Sequence, residues 1–198
     1  MRMKARRALG VMLAVVLCGL SGNWGRNPPT VEGGVLSFKL HDLDGQPVTS
    51  DDERFKGKVV FVDVFATWCP PCVRAIPTFR DLQMRYRNAG LVILGIAFEH
   101  GDSANGRRSY LEGFARQNAI NYPVLDGGTP DQLSTALPGV GNFRGFPMEI
   151  LIGRDGTVLE ARGTNVDKKG WAEELEARLV EALRIEPAQT PPPPGGGS

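Results

Sequence analysis

Two cysteines separated by two residues are the side chains of this sequence best suited to chemistry. Cys69 and Cys72 enclose Pro70 and Pro71, and Trp68 stands directly before them. A pair this close can cycle between a disulfide and two thiols, because a thiolate attacks a disulfide sulfur. A bridge between them closes a very small loop and would stabilise the fold little. The spacing therefore favours a redox role over a structural one.

Zinc binding is the main alternative for a close cysteine pair. Structural zinc sites usually have four protein ligands. Apart from Cys18 near the N-terminus, the sequence offers only these two cysteines, together with His41 and His100, which lie far away along the chain. We therefore expect no metal and no bound cofactor.

The elements around the pair are predicted to form a strand followed by a helix. The run 58–65 is almost entirely apolar, which is typical of a central buried strand. From Pro71 onward, apolar residues recur every three or four positions, which indicates an amphipathic helix ending near Gly90. Cys69 then lies at the helix N-terminus, where free N–H groups and the helix dipole stabilise a thiolate. Cys72, one turn later, is placed to attack a mixed disulfide formed at Cys69.

Asp63 is the one acidic residue inside the predicted strand. It precedes Cys69 by six positions. A buried carboxyl group has a raised pKa and can exchange a proton near neutral pH. We interpret Asp63 as the acid–base partner of Cys72, acting directly or through a water molecule. The alternative is a carboxylate satisfied by local hydrogen bonds.

The rest of the sequence predicts an α/β fold with a mixed central sheet flanked by helices and an N-terminal β-hairpin. The helix 107–118 and the loop 126–144 separate strands, and leucines four residues apart after Trp171 predict a closing helix. The predicted strands are 35–40, 47–48, 58–65, 91–98, 122–125, 148–152 and 157–161.

The two ends of the chain differ from its middle. Basic residues at 2–7 precede an apolar run at 8–20, which is the layout of a secretory signal. We expect residues 1–22 to be a cleaved signal peptide or a retained membrane anchor, with lipidation at Cys18 as a third possibility. All three place the protein outside the cytoplasm. A linker at 23–30, a domain at 31–185 and a disordered Pro/Gly-rich tail at 186–198 complete the predicted organisation.

The formal net charge of the chain is +1. A charge so close to zero gives no strong attraction to nucleic acid or to anionic lipid. Nucleic acid is therefore not an expected partner.

The motifs resemble the TlpA/ResA-like branch of the thioredoxin superfamily, which comprises exported or tethered thiol–disulfide proteins of bacteria. The resemblance rests on KVVFVDVFATWCPPC at 58–72, on 38–45, on 56–58 and on Gly145-Phe146-Pro147 before the last hairpin. It covers roughly residues 38–183. It implies a thioredoxin-like fold, a redox-active disulfide between Cys69 and Cys72, and a protein-disulfide reductase activity.

The resemblance also implies a substrate-binding surface beside the cysteines. Pro147 corresponds to the cis-proline of the family, and the backbone of Phe146 would pair with an extended segment of the substrate. Trp68 corresponds to a tryptophan that lies over the active-site surface, with an ordinary core position as the alternative. The implied partners are disulfide-containing envelope proteins, in cytochrome c maturation or in general envelope reduction, and a membrane thiol electron donor. Periplasm or cell envelope is the implied location.

Three positions depart from the family pattern. Ala75 stands where some members have a glutamate, so the acid role falls on Asp63. Glu99, at the end of a predicted strand, is a second candidate for that role, although we interpret it as a surface loop residue. Met148 and Glu149 replace the small hydroxyl residues that are common after the cis-proline.

Other functions of this fold are also conceivable. A disulfide-introducing oxidase would use the same pair in reverse, but Pro70 and Pro71 bring no cationic side chain to stabilise the thiolate, which favours a reductase. A copper-binding chaperone of this fold would use a CxxxC pair with a distant histidine. A peroxidase would have a single reactive cysteine after a Pro-x-x-x-Thr/Ser-x-x pattern, which Cys69 does not follow.

Overall fold

The computed structural model describes residues 28–101 and 103–184. The predicted signal or anchor at 1–22, most of the predicted linker, Cys18, Ile185 and the predicted tail at 186–198 lie outside these residues. Within the described ranges, no helix has both the length and the apolar character needed to cross a membrane.

The chain alternates strands and helices up to its middle and then ends with a hairpin and a helix. The elements are β1 (Thr30–Val31), β2 (Lys39–Asp42), β3 (Pro47–Thr49), β4 (Val59–Phe65), α1 (Pro70–Tyr86), β5 (Leu91–Phe98), α2 (Ala104–Gln117), β6 (Val124–Gly128), α3 (Leu133–Ala136), β7 (Val140–Gly141), β8 (Met148–Ile152), β9 (Val158–Gly163) and α4 (Trp171–Leu183).

A seven-stranded mixed sheet organises the fold. Its strand order is β3-β2-β6-β5-β4-β8-β9. β4, β5 and β6 are parallel, whereas β8 runs antiparallel to β4 and β9 antiparallel to β8. The predicted N-terminal hairpin is present as β2 and β3 at one edge, and β2 pairs with β6. The predicted thioredoxin-like architecture is confirmed.

The sheet has an apolar cluster on each face. The first contains buried residues of α1, α2 and α4, and both cysteines belong to it. The second lies beneath the N-terminal segment and α3. β4 contributes alternate residues to the two clusters, and all seven of its residues are buried. The strand that leads to the cysteines is therefore fixed from both sides.

The predicted strand at 35–40 is wrong for its first four residues. Leu36 and Phe38 are buried in the second cluster, but Val35 is exposed and makes only an isolated bridge to Thr157. The ladder begins at Lys39. The apolar pattern correctly indicated that Leu36 and Phe38 are buried, but a buried residue need not pair with a neighbouring strand.

The predicted loop 126–144 is also partly wrong, because it contains the end of β6, α3 and β7. Its glycines suggested a loop, yet Gly127 lies in β6 with no room for a side chain. A Cβ atom at Gly127 would lie 2.8 Å from the Phe98 ring. Here glycine permits close packing of a strand and does not mark a turn.

Candidate active site

Cys69 and Cys72 form a disulfide at the N-terminus of α1, with their Cα atoms 5.3 Å apart. Cys69 is the N-cap residue, and its Sγ accepts a hydrogen bond from the Cys72 N–H at 3.3 Å. Pro70 and Pro71 occupy the first two helical positions, where a missing N–H costs nothing. In the reduced protein, the same N–H and the helix dipole stabilise a thiolate on Cys69.

The two sulfurs differ in access. Cys72 is fully buried, whereas Cys69 keeps 6% of its surface exposed. An incoming thiolate or disulfide can therefore reach Cys69 but not Cys72. This asymmetry makes Cys69 the candidate for the intermolecular step and Cys72 the candidate for the intramolecular one.

An aromatic surface borders the cysteines. It consists of Trp68, His100, Phe143 and Phe146. Trp68 is 48% exposed, stacks on His100 with ring centroids 5.1 Å apart and meets Phe146 edge-on at 5.6 Å. Phe146 also contacts Phe143 at 5.1 Å. Trp68 is thus a surface residue and not an ordinary core tryptophan.

The Phe146–Pro147 peptide bond is cis and lies directly before β8. Phe146 packs against the cluster that contains the cysteines. Of the predicted substrate-binding residues, Trp68 directly precedes Cys69 and contacts Phe146, and Pro147 follows Phe146.

Asp63 lies on β4 and is 1% exposed. Its neighbours two residues away, Phe61 and Phe65, belong to the cluster that holds the cysteines, so Asp63 faces the same side of the sheet. Neither carboxyl oxygen has a hydrogen-bond partner among the described residues. Burial, followed by the negative charge of Glu149, raises the pKa of Asp63 well above its usual value. The alternative for Asp63, a carboxylate with local hydrogen-bond partners, is not observed among the residues that the structure describes.

Glu99 does not lie in an exposed surface loop, as the sequence suggested, because only 4% of it is exposed. Its Oε1 accepts the backbone N–H of Thr67 at 2.5 Å. The Thr67 hydroxyl is 3.3 Å from the Tyr110 hydroxyl of α2. Glu99 follows β5 at the same end of the sheet where the chain leaves β4 toward the cysteines. Through its bond to Thr67, Glu99 holds the segment that carries Trp68 and Cys69.

Replacing Glu99 with alanine is expected to lower the free energy of unfolding by about 1–3 kcal/mol, because the Thr67 N–H loses its acceptor in a part-buried position. Denaturant unfolding of the oxidised protein measures this. Glu112→Ala is the matched control, since Glu112 makes only an exposed ion pair with Arg116, which is worth at most about 0.5 kcal/mol. Equal losses in the two variants would contradict the role assigned to Glu99.

Glu149 is a further buried acid, which the sequence marked only as a departure from the family pattern. It is 1% exposed on β8 and contacts Arg178, Arg162 and Trp171 of the neighbouring elements. No periodicity points to it, because its partners come together only through the pairing of distant strands.

The described part of the chain contains no group of three or more His, Cys, Asp or Glu residues able to hold a metal ion.

Comparison with known proteins agrees with this geometry. Residues 32–173 match the AhpC/TSA family. The thiol-disulfide oxidoreductase ResA of Bacillus thuringiensis subsp. konkukian is 28% identical over 166 residues, which cover 79% of this chain and 87% of that protein. The protein of the same name from Halalkalibacterium halodurans is 26% identical over 151 residues, 76% of each chain.

A solved structure supports the same assignment. The thiol:disulfide interchange protein of the thioredoxin family from Chlorobium tepidum TLS has a TM-score of 0.59 and 26% sequence identity. The similarity covers 80% of this chain and 99% of that one. With a cysteine pair bonded at a helix N-terminus, this chain belongs to the AhpC/TSA family and is a thiol–disulfide oxidoreductase with a thioredoxin-like fold.

Proposed function

We propose that this protein is exported and reduces disulfides in proteins of the cell envelope through Cys69 and Cys72. The observation that carries the proposal is the asymmetry of the pair: Cys69 reaches the surface at a helix N-terminus, and Cys72 is buried behind it. Cys69 attacks the client disulfide and forms a mixed disulfide. Cys72 then attacks Cys69 and releases the reduced client.

Reduction is favoured over oxidation by the surroundings of Cys69. The Cys69 Sγ accepts its hydrogen bond from a backbone N–H. Among the residues that the structure describes, no lysine, arginine or histidine side chain donates to it. Strong oxidants of this kind are oxidants because their reduced form is stabilised. A thiolate without a cationic neighbour is stabilised less, which favours the disulfide form and hence the reducing direction.

An insulin-reduction assay tests this proposal. With dithiothreitol as electron source, the wild-type protein is expected to speed insulin precipitation, and to form few disulfides in a reduced, unfolded client. Fast oxidation of the reduced client with no effect on insulin would establish the oxidase alternative. Rapid turnover of hydrogen peroxide with no effect on insulin would favour a peroxidase.

Trp68 is proposed to bind the client protein. Trp68→Ala is expected to raise the KM for insulin about tenfold, equivalent to about 1.4 kcal/mol, because an exposed aromatic ring supplies contact area beside Cys69. The reaction with dithiothreitol, which is too small to use this surface, should change little. Met84→Ala is the control, since Met84 is at least as exposed as Trp68 but lies near the far end of α1. An unchanged KM for insulin in Trp68→Ala would argue against client binding there.

Export is proposed from the basic residues at 2–7 and the apolar run at 8–20. Determining the N-terminus and mass of the protein recovered from the envelope fraction distinguishes the three possible fates. A start near residue 22 indicates cleavage, an intact N-terminus indicates an anchor, and a lipid-modified Cys18 indicates lipidation. Recovery of the protein in the cytoplasm alone would refute export.

Electrons are proposed to come from a membrane thiol carrier, since each client reduced leaves Cys69 and Cys72 as a disulfide that must be reduced again. Apocytochromes in cytochrome c maturation are the proposed clients, with general envelope reduction as the broader alternative. A Cys72→Ser variant, in which Cys69 stays joined to the client after attacking its disulfide, would hold the client for identification.

A further inference from the structure

Two acidic side chains lie next to each other on the sheet face that carries the cysteine pair. In the antiparallel pairing of β4 with β8, Asp63 is directly opposite Glu149. Side chains of directly opposed residues have Cβ atoms about 4.5–5.5 Å apart on the same face. On its other side, Asp63 is opposite Gly95 of β5, which has no side chain. The side chain nearest to Asp63 across the sheet is therefore another acid.

The two acids differ in their partners. Glu149 Oε2 lies 3.0 Å from Arg178 Nη1 and 3.6 Å from Arg162 Nε, and Glu149 Oε1 accepts from Trp171 Nε1 at 3.3 Å. Asp63 has no hydrogen-bond partner among the described residues. A buried carboxylate needs such partners to keep its charge. Glu149 is thus equipped to stay ionised, and Asp63 is not.

We propose that Glu149 is a positioning residue for the redox reaction: its fixed negative charge keeps the proton on Asp63 while Cys69 and Cys72 are joined. Asp63 is then ready to protonate Cys72 when the disulfide opens. The inference rests on the proposed function and extends it, by naming the group that controls the proton used by the cysteine pair.

The reaction balances with this proton. A donor thiolate attacks Cys69 Sγ, a new S–S bond forms there, and the bond to Cys72 breaks. Cys72 leaves with the electron pair and takes the proton from Asp63, which becomes a carboxylate. The second donor thiol then releases Cys69, and the donor leaves as a disulfide. When a client is reduced, Cys72 returns its proton to Asp63, and Glu149 favours that return because two adjacent carboxylates repel.

The charged groups around the pair come from four further segments. Arg178 and Glu174 belong to α4, Arg162 and Glu160 to β9, Arg80 to α1, and Tyr122 precedes β6. Arg162 and Arg178, which contact Glu149, both also pair with Glu160, and Arg162 pairs in addition with Glu174. These acids offset part of the positive charge of the two arginines. Burial and the Asp63 charge raise the pKa of Tyr122, which Arg80 opposes. Glu149 is the charged group that acts most directly on Asp63.

Titration of Asp63 in the disulfide form tests the proposal. Carbon-13 NMR of labelled aspartate carboxyl groups gives the pH midpoint at which Asp63 loses its proton. The signal that is missing in Asp63→Asn is the signal of Asp63. Glu149→Gln keeps an acceptor for Trp171 but removes the charge, so the proton affinity of Asp63 should fall at least about tenfold. Arg162→Gln removes a cation from Glu149 at a part-exposed position, and should raise that affinity about twofold.

Opposite shifts in the two variants are the expected result. An unchanged midpoint in Glu149→Gln, or shifts of the same sign in both, would overturn the proposal. If Glu149→Gln does not fold, Arg162→Gln decides alone, with an increase supporting the proposal and no change refuting it. The titration needs no client, so it is independent of the proposed function. A protein that shows the shifts but fails to reduce insulin would refute the proposed function, while the effect of Glu149 on Asp63 would remain supported.

Discussion

Cys69→Ser is expected to reduce insulin no faster than dithiothreitol alone, because the residue that attacks the client is lost. Cys72→Ser should also stop turnover, but at a different point. Its Cys69 can still attack a client disulfide, and without Cys72 the mixed disulfide is not resolved. Non-reducing electrophoresis should show one client molecule held per protein in Cys72→Ser and none in Cys69→Ser.

These two outcomes depend on the complete burial of Cys72 and the small accessible surface of Cys69. Serine is close to cysteine in size, so both variants should fold, and near-UV circular dichroism verifies this. A mixed disulfide trapped by Cys69→Ser instead would reverse the assigned roles. Full turnover by either variant would contradict a mechanism that needs both cysteines.

Asp63→Asn is expected to slow opening of the Cys69–Cys72 disulfide by dithiothreitol about a hundredfold. This is the lower end of the range for general acid–base catalysis, because a thiolate is already an acceptable leaving group. In the wild type, the rate per reagent thiolate should fall as pH rises through the raised pKa of Asp63. In the variant, that dependence should be absent. Stopped-flow fluorescence over a pH series measures both.

The pH dependence of the free energy of unfolding gives an independent measure of the protonation of Asp63. Native Asp63 keeps its proton above pH 3.8, where an unfolded aspartate has released it. The native state then binds more protons, so the free energy of unfolding falls as pH rises from about 3.8 until native Asp63 ionises. One proton corresponds to about 1.4 kcal/mol per pH unit in this window. Asp63→Asn should lack this decline.

A wild type and an Asp63→Asn variant whose unfolding free energies run parallel from pH 4 to pH 8 would contradict a protonated Asp63. The rate and stability measurements can also disagree. A normal reduction rate in Asp63→Asn together with the expected stability difference would show that Asp63 is buried and protonated but takes no part in the redox reaction.

Local patterns in the sequence predicted the frame of the site well. The apolar run at 91–98 has the bounds of β5, and the four-residue spacing after Trp171 identified the buried face of α4. Cys69 was placed at the start of a helix from the change of period around it, and it is the N-cap of α1. These features depend on neighbours within a few residues, which a sequence displays directly.

The errors concern long-range pairing. Glu99 appeared to be a surface acid because it follows a strand, yet its partner, Thr67, is 32 residues away. Glu149 is opposite Asp63 only because β8 adds next to β4 in one particular register. A shift of one residue would turn Glu149 to the other face of the sheet. Such a register is set by the packing of the whole sheet, so a single sequence does not display it.

The reduction potential of the Cys69–Cys72 pair tests the central claim most directly. Equilibrating the protein in graded mixtures of thiol and disulfide gives the fraction reduced at each potential, and Trp68 fluorescence or mass after thiol alkylation reports it. A reductase that depends on an electron donor should have a value near or below about −200 mV. A value near about −120 mV, typical of a strong disulfide-introducing oxidant, would contradict the account.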